Sequence, residues 1–393
     1  MPPPSQSTDT TALAASRVFT GEAMLDDHAV IVAGGRIERV VPASRIPRGV
    51  KRRDLGGLLA PGFIDAQVNG GGGVLFNDDP SVAAIRKIGA AHRRFGTTGF
   101  LPTLITDHPE TMELALDAVR QGLAESVPGL LGVHIEGPFL AAERRGVHAL
   151  DRLRQPSLAD LALLTQARAG TVLVTVAPER MPPGSIERLV AAGVRVASGH
   201  TAASYEETMA GLARGITGFT HLFNAMSPMT SREPGAVGAA LADAESWCGI
   251  ILDGFHVHLA CLRVALAAKP LGKVFLVTDA MPPVGTDAKS FRLYGETITV
   301  MGGRCLTDSG VLAGSALDMA AALRNAVALL GLGLDEVLRM ASAYPADFLG
   351  IADRMGRLKP GMRADLVLLD DGLAVKETWI AGRAPVDSKT VAD

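Results

Sequence analysis

Val194-Arg-Val-Ala-Ser-Gly-His200 is a short, mostly apolar run that closes on an imidazole, and four other stretches of the chain share its plan. Leu130-Leu-Gly-Val-His-Ile-Glu136 closes on a carboxylate, Thr217-Gly-Phe-Thr-His221 on a second imidazole, and Cys248-Gly-Ile-Ile-Leu-Asp253 and Lys273-Val-Phe-Leu-Val-Thr-Asp279 on two more carboxylates. Runs of this length, apolar on both sides, read as strands of a parallel sheet covered on both faces. Working outward, similar runs occur near 60–68, 97–103 and 171–176, so the full set is 60–68, 97–103, 130–136, 171–176, 194–200, 218–221, 249–253 and 274–279. Helical, Ala- and Leu-rich segments separate them at 81–94, 109–125, 158–169 and 204–214, and another follows the last strand at 316–330. This βα rhythm repeated eight times predicts an α/β fold, a (β/α)8 TIM-like barrel.

The two ends have a different texture. Residues 12–59 hold short alternating runs around the Gly34-Gly35 turn, and 363–369 and 375–380 repeat that pattern near the C-terminus. Together they predict a small β-sandwich domain built from both chain ends, with the barrel inserted between. The expected partition is 1–60, 61–352 and 353–393, with 1–11 (MPPPSQSTDTT) a disordered tail and 281–315 an irregular Gly-rich insertion.

Composition narrows the function. Thirty-eight basic and 41 acidic residues in 393 give a net charge of -3, too balanced for a nucleic-acid partner. The most apolar long stretch, 247–268, is broken by Asp253, His256, His258 and Arg263, so no membrane span is expected. Cys248, Cys261 and Cys305 lack CxxC spacing, which speaks against a disulfide framework or a thiolate zinc site and for a cytoplasmic protein. The glycines at 70–73 do not have phosphate-loop spacing.

A barrel gathers the side chains at its C-terminal strand ends into one mouth. Glu136, His200 and His221 are 64 and 21 residues apart and could meet only there, as a carboxylate and two imidazoles suited to a divalent cation. Asp279 would stand beside the cation as general base, or alternatively cap a following helix. His134 shares a strand face with Glu136 and is expected in an inner barrel layer. His28, His92 and His108 read as structural or surface residues, His258 stays open, and Arg93-Arg94 and Arg144-Arg145 read as solvated faces, Arg145 being near enough to His148 to affect an anionic substrate.

The motifs PGFIDAQVNGGGG (61–73), HIEGPFL (134–140), AERRGVH (142–148), SGHT (198–201), THLFNAM (220–226), LDGFHV (252–257), VTDAM (277–281) and LAGSAL (312–317) give the chain a strong resemblance. In this order, over nearly the whole length, they resemble the amidohydrolase superfamily and, within it, the N-acetylglucosamine-6-phosphate deacetylase family. The resemblance implies hydrolysis of N-acetyl-D-glucosamine 6-phosphate to the amine and acetate. It implies one divalent metal ion per subunit on Glu136, His200 and His221, with zinc first and iron, manganese or cobalt as alternatives. Gln67 and Asn69 stand where the superfamily often has a His pair for a second ion. Asp279 and His148 are implied as catalytic, the latter on the substrate carbonyl. Val147, Asn224, Ala225, Arg232, Asp253, His256, Leu312, Ala313 and Gly314 are implied to bind substrate, with Arg232, His256 and the 224–225 amides on the phosphate. A homodimer sharing a phosphate-binding arginine is also implied. The alternatives are an amidohydrolase acting on another N-acyl or cyclic amide, and a non-catalytic scaffold of the same fold.

Overall fold

In a computed structural model of the chain, the structure describes residues 10–166 and 170–385. Strand β1 (Thr11–Phe19) pairs antiparallel along its whole length with β2 (Met24–Ala33), and β3 (Arg36–Pro42) follows across the Gly34-Gly35 turn. Both glycines have positive φ, 57° and 77°, as the tight connection requires. The other edge of β1 is divided: β4 (Lys51–Asp54) pairs with Thr11 to Ala14, and β5 (Leu58–Pro61) with Arg17 and Val18, both in parallel. Alternate residues of β1 and β2 feed two apolar clusters, one around Leu13, Val18, Val30 and Leu59, the other around Ala12, Ala14, Ala29 and Ile31. The tail expected at 1–11 falls on 1–9, outside the described residues; Thr11 corrects it, because that residue already pairs with Val32.

Eight parallel strands make the barrel. The first is β6 (Phe63–Val68), after which β7 (Gly70–Gly71) and β8 (Val74–Leu75) form a small hairpin. The remaining seven are β9 (Thr97–Ile105), β10 (Gly132–Glu136), β11 (Thr171–Val176), β12 (Arg195–Ser198), β13 (Gly218–Phe219), β14 (Trp247–Ile251) and β15 (Val274–Val277), neighbours in that order from β6. The ring closes where the Asp279 N–H donates to the Gln67 carbonyl at 3.0 Å and the Gly70 N–H to the Ala280 carbonyl at 2.9 Å. A side-chain staple accompanies this seam: the buried Asp65 carboxylate accepts from the Thr278 hydroxyl at 2.5 Å and from the Thr278 and Gln67 amides, each at 3.2 Å. Burial still pushes the Asp65 carboxyl up to about 7.

Two sequence expectations are corrected beyond the barrel. The segment 281–315 is not irregular: it holds a four-stranded antiparallel sheet, β16 (Ser290–Leu293), β17 (Glu296–Met301), β18 (Arg304–Leu306) and β19 (Leu312–Ser315). Its glycine turns obscure the short alternations, yet Leu293, Ile298, Cys305 and Ala313 share one apolar cluster with Met281 and Ile105. Asp279 caps no helix, since the chain passes from it into this sheet and the helix Met319–Leu330 is capped by Asp318. Finally β20 (Leu366–Leu369) pairs antiparallel with β5 and β21 (Val375–Trp379) extends it, so both chain ends share one seven-stranded sheet.

Candidate active site

The barrel mouth holds a cavity of about 300 Å³ lined by charged and imidazole groups. Glu136 ends β10, and His200, His221 and Asp279 each lie two residues past the ends of β12, β13 and β15. His200, His221 and Asp279 all have positive φ, 48°, 35° and 52°, so each strand end swings out of the extended conformation as it reaches the cavity. Glu136 Oε1 is 2.9 Å from His221 Nε2 and 3.2 Å from His200 Nε2, and the two imidazole nitrogens are 3.0 Å apart. Three donor atoms at such spacing fit the edges of a coordination shell whose bonds are about 2.0–2.2 Å. His200 Nδ1 is 2.8 Å from the Arg144 carbonyl, an acceptor, so its proton sits on Nδ1 and its Nε2 lone pair faces the cluster. This Glu/His/His cluster could bind a metal. Distance alone allows His148 as well, because donor atoms of Glu136, His148 and His200 lie within 4.8 Å of one another.

Electrostatics follow from the crowding. Burial opposes charge on Glu136, but the hydrogen bond from His221 and the two imidazoles beside the carboxyl outweigh it and hold it well below its usual range. His221 is raised: burial works against its charge, and the Glu136 hydrogen bond and charge prevail. Burial, and next the charge on Glu136, push Asp279 up to about 6. Burial and the neighbouring His200 hold His148 well below the usual imidazole range.

Gln67 donates to Glu136 Oε2 at 3.0 Å and to Asp279 Oδ1 at 3.1 Å, and Asn69 donates to the same Oδ1 at 2.6 Å. Val147, His148, Asn224, Ala225, His256, Leu312 and Gly314 line the cavity. Three other residues expected to bind substrate, Ala313, Asp253 and Arg232, do not line it. Ala313 is fully buried in the apolar core of the 290–315 sheet, because strand alternation turns it away from its lining neighbours. Asp253 lies behind the cavity, with its Oδ2 2.6 Å from His256 Nδ1 and its Oδ1 accepting the Phe255 and His256 amides. The Asn224 amide is committed to the His221 carbonyl at 3.0 Å. Arg232 is exposed on its loop and does not reach the cavity of its own chain.

His134 occupies the inner layer, bonded to Thr103 and Thr175. Sequence reasoning missed Thr106, whose hydroxyl is 2.7 Å from His148 Nδ1, and misplaced Arg144, which lines the cavity and orients His200 through its carbonyl. Thr106 did carry a signal, being the polar residue that closes the β9 run as Glu136 closes β10. A larger hollow of about 590 Å³ in the terminal sheet is bordered by Arg52 and Arg53, which are already paired with Asp54 and Glu377, and brings together no comparable set.

Comparison with known proteins agrees with this geometry. Residues 58–384 match the amidohydrolase family, and residues 11–59 match the NagA composite domain. The chain belongs to the amidohydrolase family. Among curated relatives, an N-acetylgalactosamine-6-phosphate deacetylase of Shewanella sp. (strain ANA-3) is 45% identical over 326 residues, 83% of this chain and 82% of that one. An N-acetylglucosamine-6-phosphate deacetylase of Haemophilus influenzae is 37% identical, covering 93% of this chain and 97% of its own. The crystal structure of N-acetylglucosamine-6-phosphate deacetylase from Pasteurella multocida superposes with a TM-score of 0.93 at 35% identity, over 96% of this chain and all of that one. The amidohydrolase barrel is thus the one the strand rhythm predicted, and no described helix is long and apolar enough to cross a membrane.

Proposed function

We propose that the protein hydrolyses N-acetyl-D-glucosamine 6-phosphate to D-glucosamine 6-phosphate and acetate, a step of amino-sugar catabolism and cell-wall recycling. One observation carries the reading: Glu136, His200, His221, Asp279 and His148 line a single cavity in a chain whose relatives are named for this chemistry. Glu136, His200 and His221 would hold one divalent cation, zinc first, with iron, manganese or cobalt also suited to this donor set. A cation held by these three residues would supply a lowered pKa for water and polarisation of the acetamide carbonyl. Gln67 and Asn69 turn amide N–H groups toward the carboxylates and, as poor ligands, add no second ion.

Asp279 is a carboxylate at neutral pH, since its carboxyl lies at about 6. Its Oδ1 already accepts two amide donors, so Oδ2 takes the proton of the attacking water and returns it to the nitrogen as the C–N bond breaks. The amine then leaves neutral. His148 donates to the acetamide oxygen as negative charge grows there. The phosphate meets His256, the Ala225 amide and an arginine fork. We assign that fork to Arg232 of a neighbouring subunit in a homodimer, which suits an exposed arginine near an apolar hollow that includes Phe223, Met229 and Val264. The barrel domain, taken as 61–352, carries the chemistry, with 1–60 and 353–393 as the companion domain. The three free cysteines suit a reducing cytoplasm.

A second reading, the galacto epimer at C4, is favoured by the name of the Shewanella relative. Acetate release from both hexosamine 6-phosphates and from the unphosphorylated sugar separates the possibilities. The gluco phosphate should be hydrolysed with the highest kcat/KM, and the unphosphorylated sugar should be worse by about 100-fold, the worth of one or two charge-assisted hydrogen bonds. Faster turnover of the galacto phosphate would replace the substrate, and equal turnover without phosphate would discard the phosphate site.

A further inference from the structure

We infer that Thr106 is a positioning residue that fixes His148 as its Nε2–H tautomer, making this imidazole a donor into the cavity and keeping it out of the cation's coordination shell. The inference rests on the proposed reaction for its functional meaning, but the tautomer itself follows from hydrogen-bond partners alone. A neutral imidazole offers one N–H and one lone pair, so what faces one nitrogen decides what the other can do.

Three of the four imidazoles lining the cavity crowd together, with ring centroids 4.3 Å apart for His148 and His200 and 4.8 Å apart for His200 and His221. His200 turns Nδ1 toward a carbonyl, which can only accept, so its Nε2 is a lone pair fit for a cation. His148 has the opposite arrangement. Its Nδ1 is 2.7 Å from the Thr106 hydroxyl and 3.3 Å from the Thr106 backbone N–H. A backbone N–H can only donate, so Nδ1 carries the lone pair and the proton sits on Nε2. A protonated Nε2 cannot ligate; it can hydrogen-bond a carbonyl oxygen. Of the two imidazoles near enough to complete the Glu136 and His200 pair, His221 is thereby the ligand and His148 the donor.

Thr106 is itself held on both sides. It is buried just past β9, where Asn77 brackets Ile105 through Nδ2 to the carbonyl at 2.9 Å and Oδ1 from the amide at 3.1 Å. The hydroxyl of Tyr294, in the turn between β16 and β17, donates to the Thr106 carbonyl at 2.5 Å. The 290–315 sheet thus fastens the residue that sets the tautomer.

Nitrogen-15 NMR of the full-length, zinc-loaded protein labelled at histidine reads the ring directly, with His148→Gln assigning the signal. The wild type should show a neutral ring protonated on Nε2. Thr106→Val removes the 2.7 Å hydroxyl and leaves Nδ1 only the longer 3.3 Å backbone contact, so this weakened hold should mix in the Nδ1–H form and lower kcat by about tenfold or more, with KM and zinc content nearly unchanged. Thr106→Ser should restore both signal and kcat. A wild-type ring protonated on Nδ1, or a valine variant with an unaltered signal and kcat, overturns the inference. A signal that shifts as predicted in a protein that hydrolyses no hexosamine 6-phosphate sustains the inference and removes the proposed substrate.

Discussion

Two amide donors, Gln67 Nε2 at 3.1 Å and Asn69 Nδ2 at 2.6 Å, converge on Asp279 Oδ1, and Gln67 reaches on to Glu136 Oε2. Both amides present their protons to the carboxylates, which orients Asp279 and leaves Oδ2 for proton transfer. Asp279→Asn keeps the shape and removes the base. Its kcat should fall by about 10²- to 10⁴-fold, the usual worth of a positioned acid–base group, while the bound metal stays. Acetate release with metal analysis on the same sample checks this, and an unchanged kcat would remove Asp279 from the chemistry. Glu136, His200, His221 and Asp279 were legible in the sequence because each is a titratable residue closing an apolar run. Thr106 also closes its run but is not titratable, and the Arg144 carbonyl leaves no mark in the sequence; a hydroxyl and a main-chain oxygen acquire their roles only from what folding places beside them. Ala313 was misassigned because the strand that sets its alternation was not recognised.

The barrel is closed by few bonds, so the seam between β6 and β15 concentrates the consequences of a single substitution. Thr278→Val removes the hydroxyl that donates to the buried Asp65 at 2.5 Å. Leaving that carboxyl short of a donor should cost about 1–3 kcal/mol in a urea titration, and Thr278→Ser should cost clearly less. Equal losses in the two variants would mean that the hydroxyl bond does not support the seam. All eight barrel strands were readable, because runs apolar on both faces are what a covered parallel sheet demands. Several helices were not. Gly235–Ala242 is apolar all round and shows no helical period, and Ser185–Ala191 spans barely two turns. In the 290–315 sheet, strands of three to six residues separated by glycine turns leave too little alternation to register.

Sharing one sheet, the two chain ends bracket the barrel, and buried histidines tie the stability of the whole to pH. His92 is fully buried, with Nε2 2.9 Å from the Gly70 carbonyl beside the barrel seam, and burial lowers it to about 4 from an ordinary 6.5. Between these values the unfolded chain binds more protons than the folded one, so stability is full above 6.5 and is lost as pH falls toward 4. Asp65 acts in the opposite sense: held at about 7, it favours the folded state at low pH and loses that contribution as pH rises from about 4 to 7. His92→Gln keeps a donor for Gly70 and removes the titration. The drop in unfolding free energy from pH 7 to pH 4.5 should therefore shrink by about 2–3 kcal/mol in this variant, and an equal drop would show that His92 is not held neutral. The cation reading rests on which side chains meet at the barrel mouth, and metal content per chain in the wild type, His221→Ala and His148→Ala tests it most directly. About one ion per chain in the wild type and in His148→Ala, with the ion lost in His221→Ala, is the predicted result. No ion in the wild type, or an ion retained by His221→Ala and lost from His148→Ala, would contradict it.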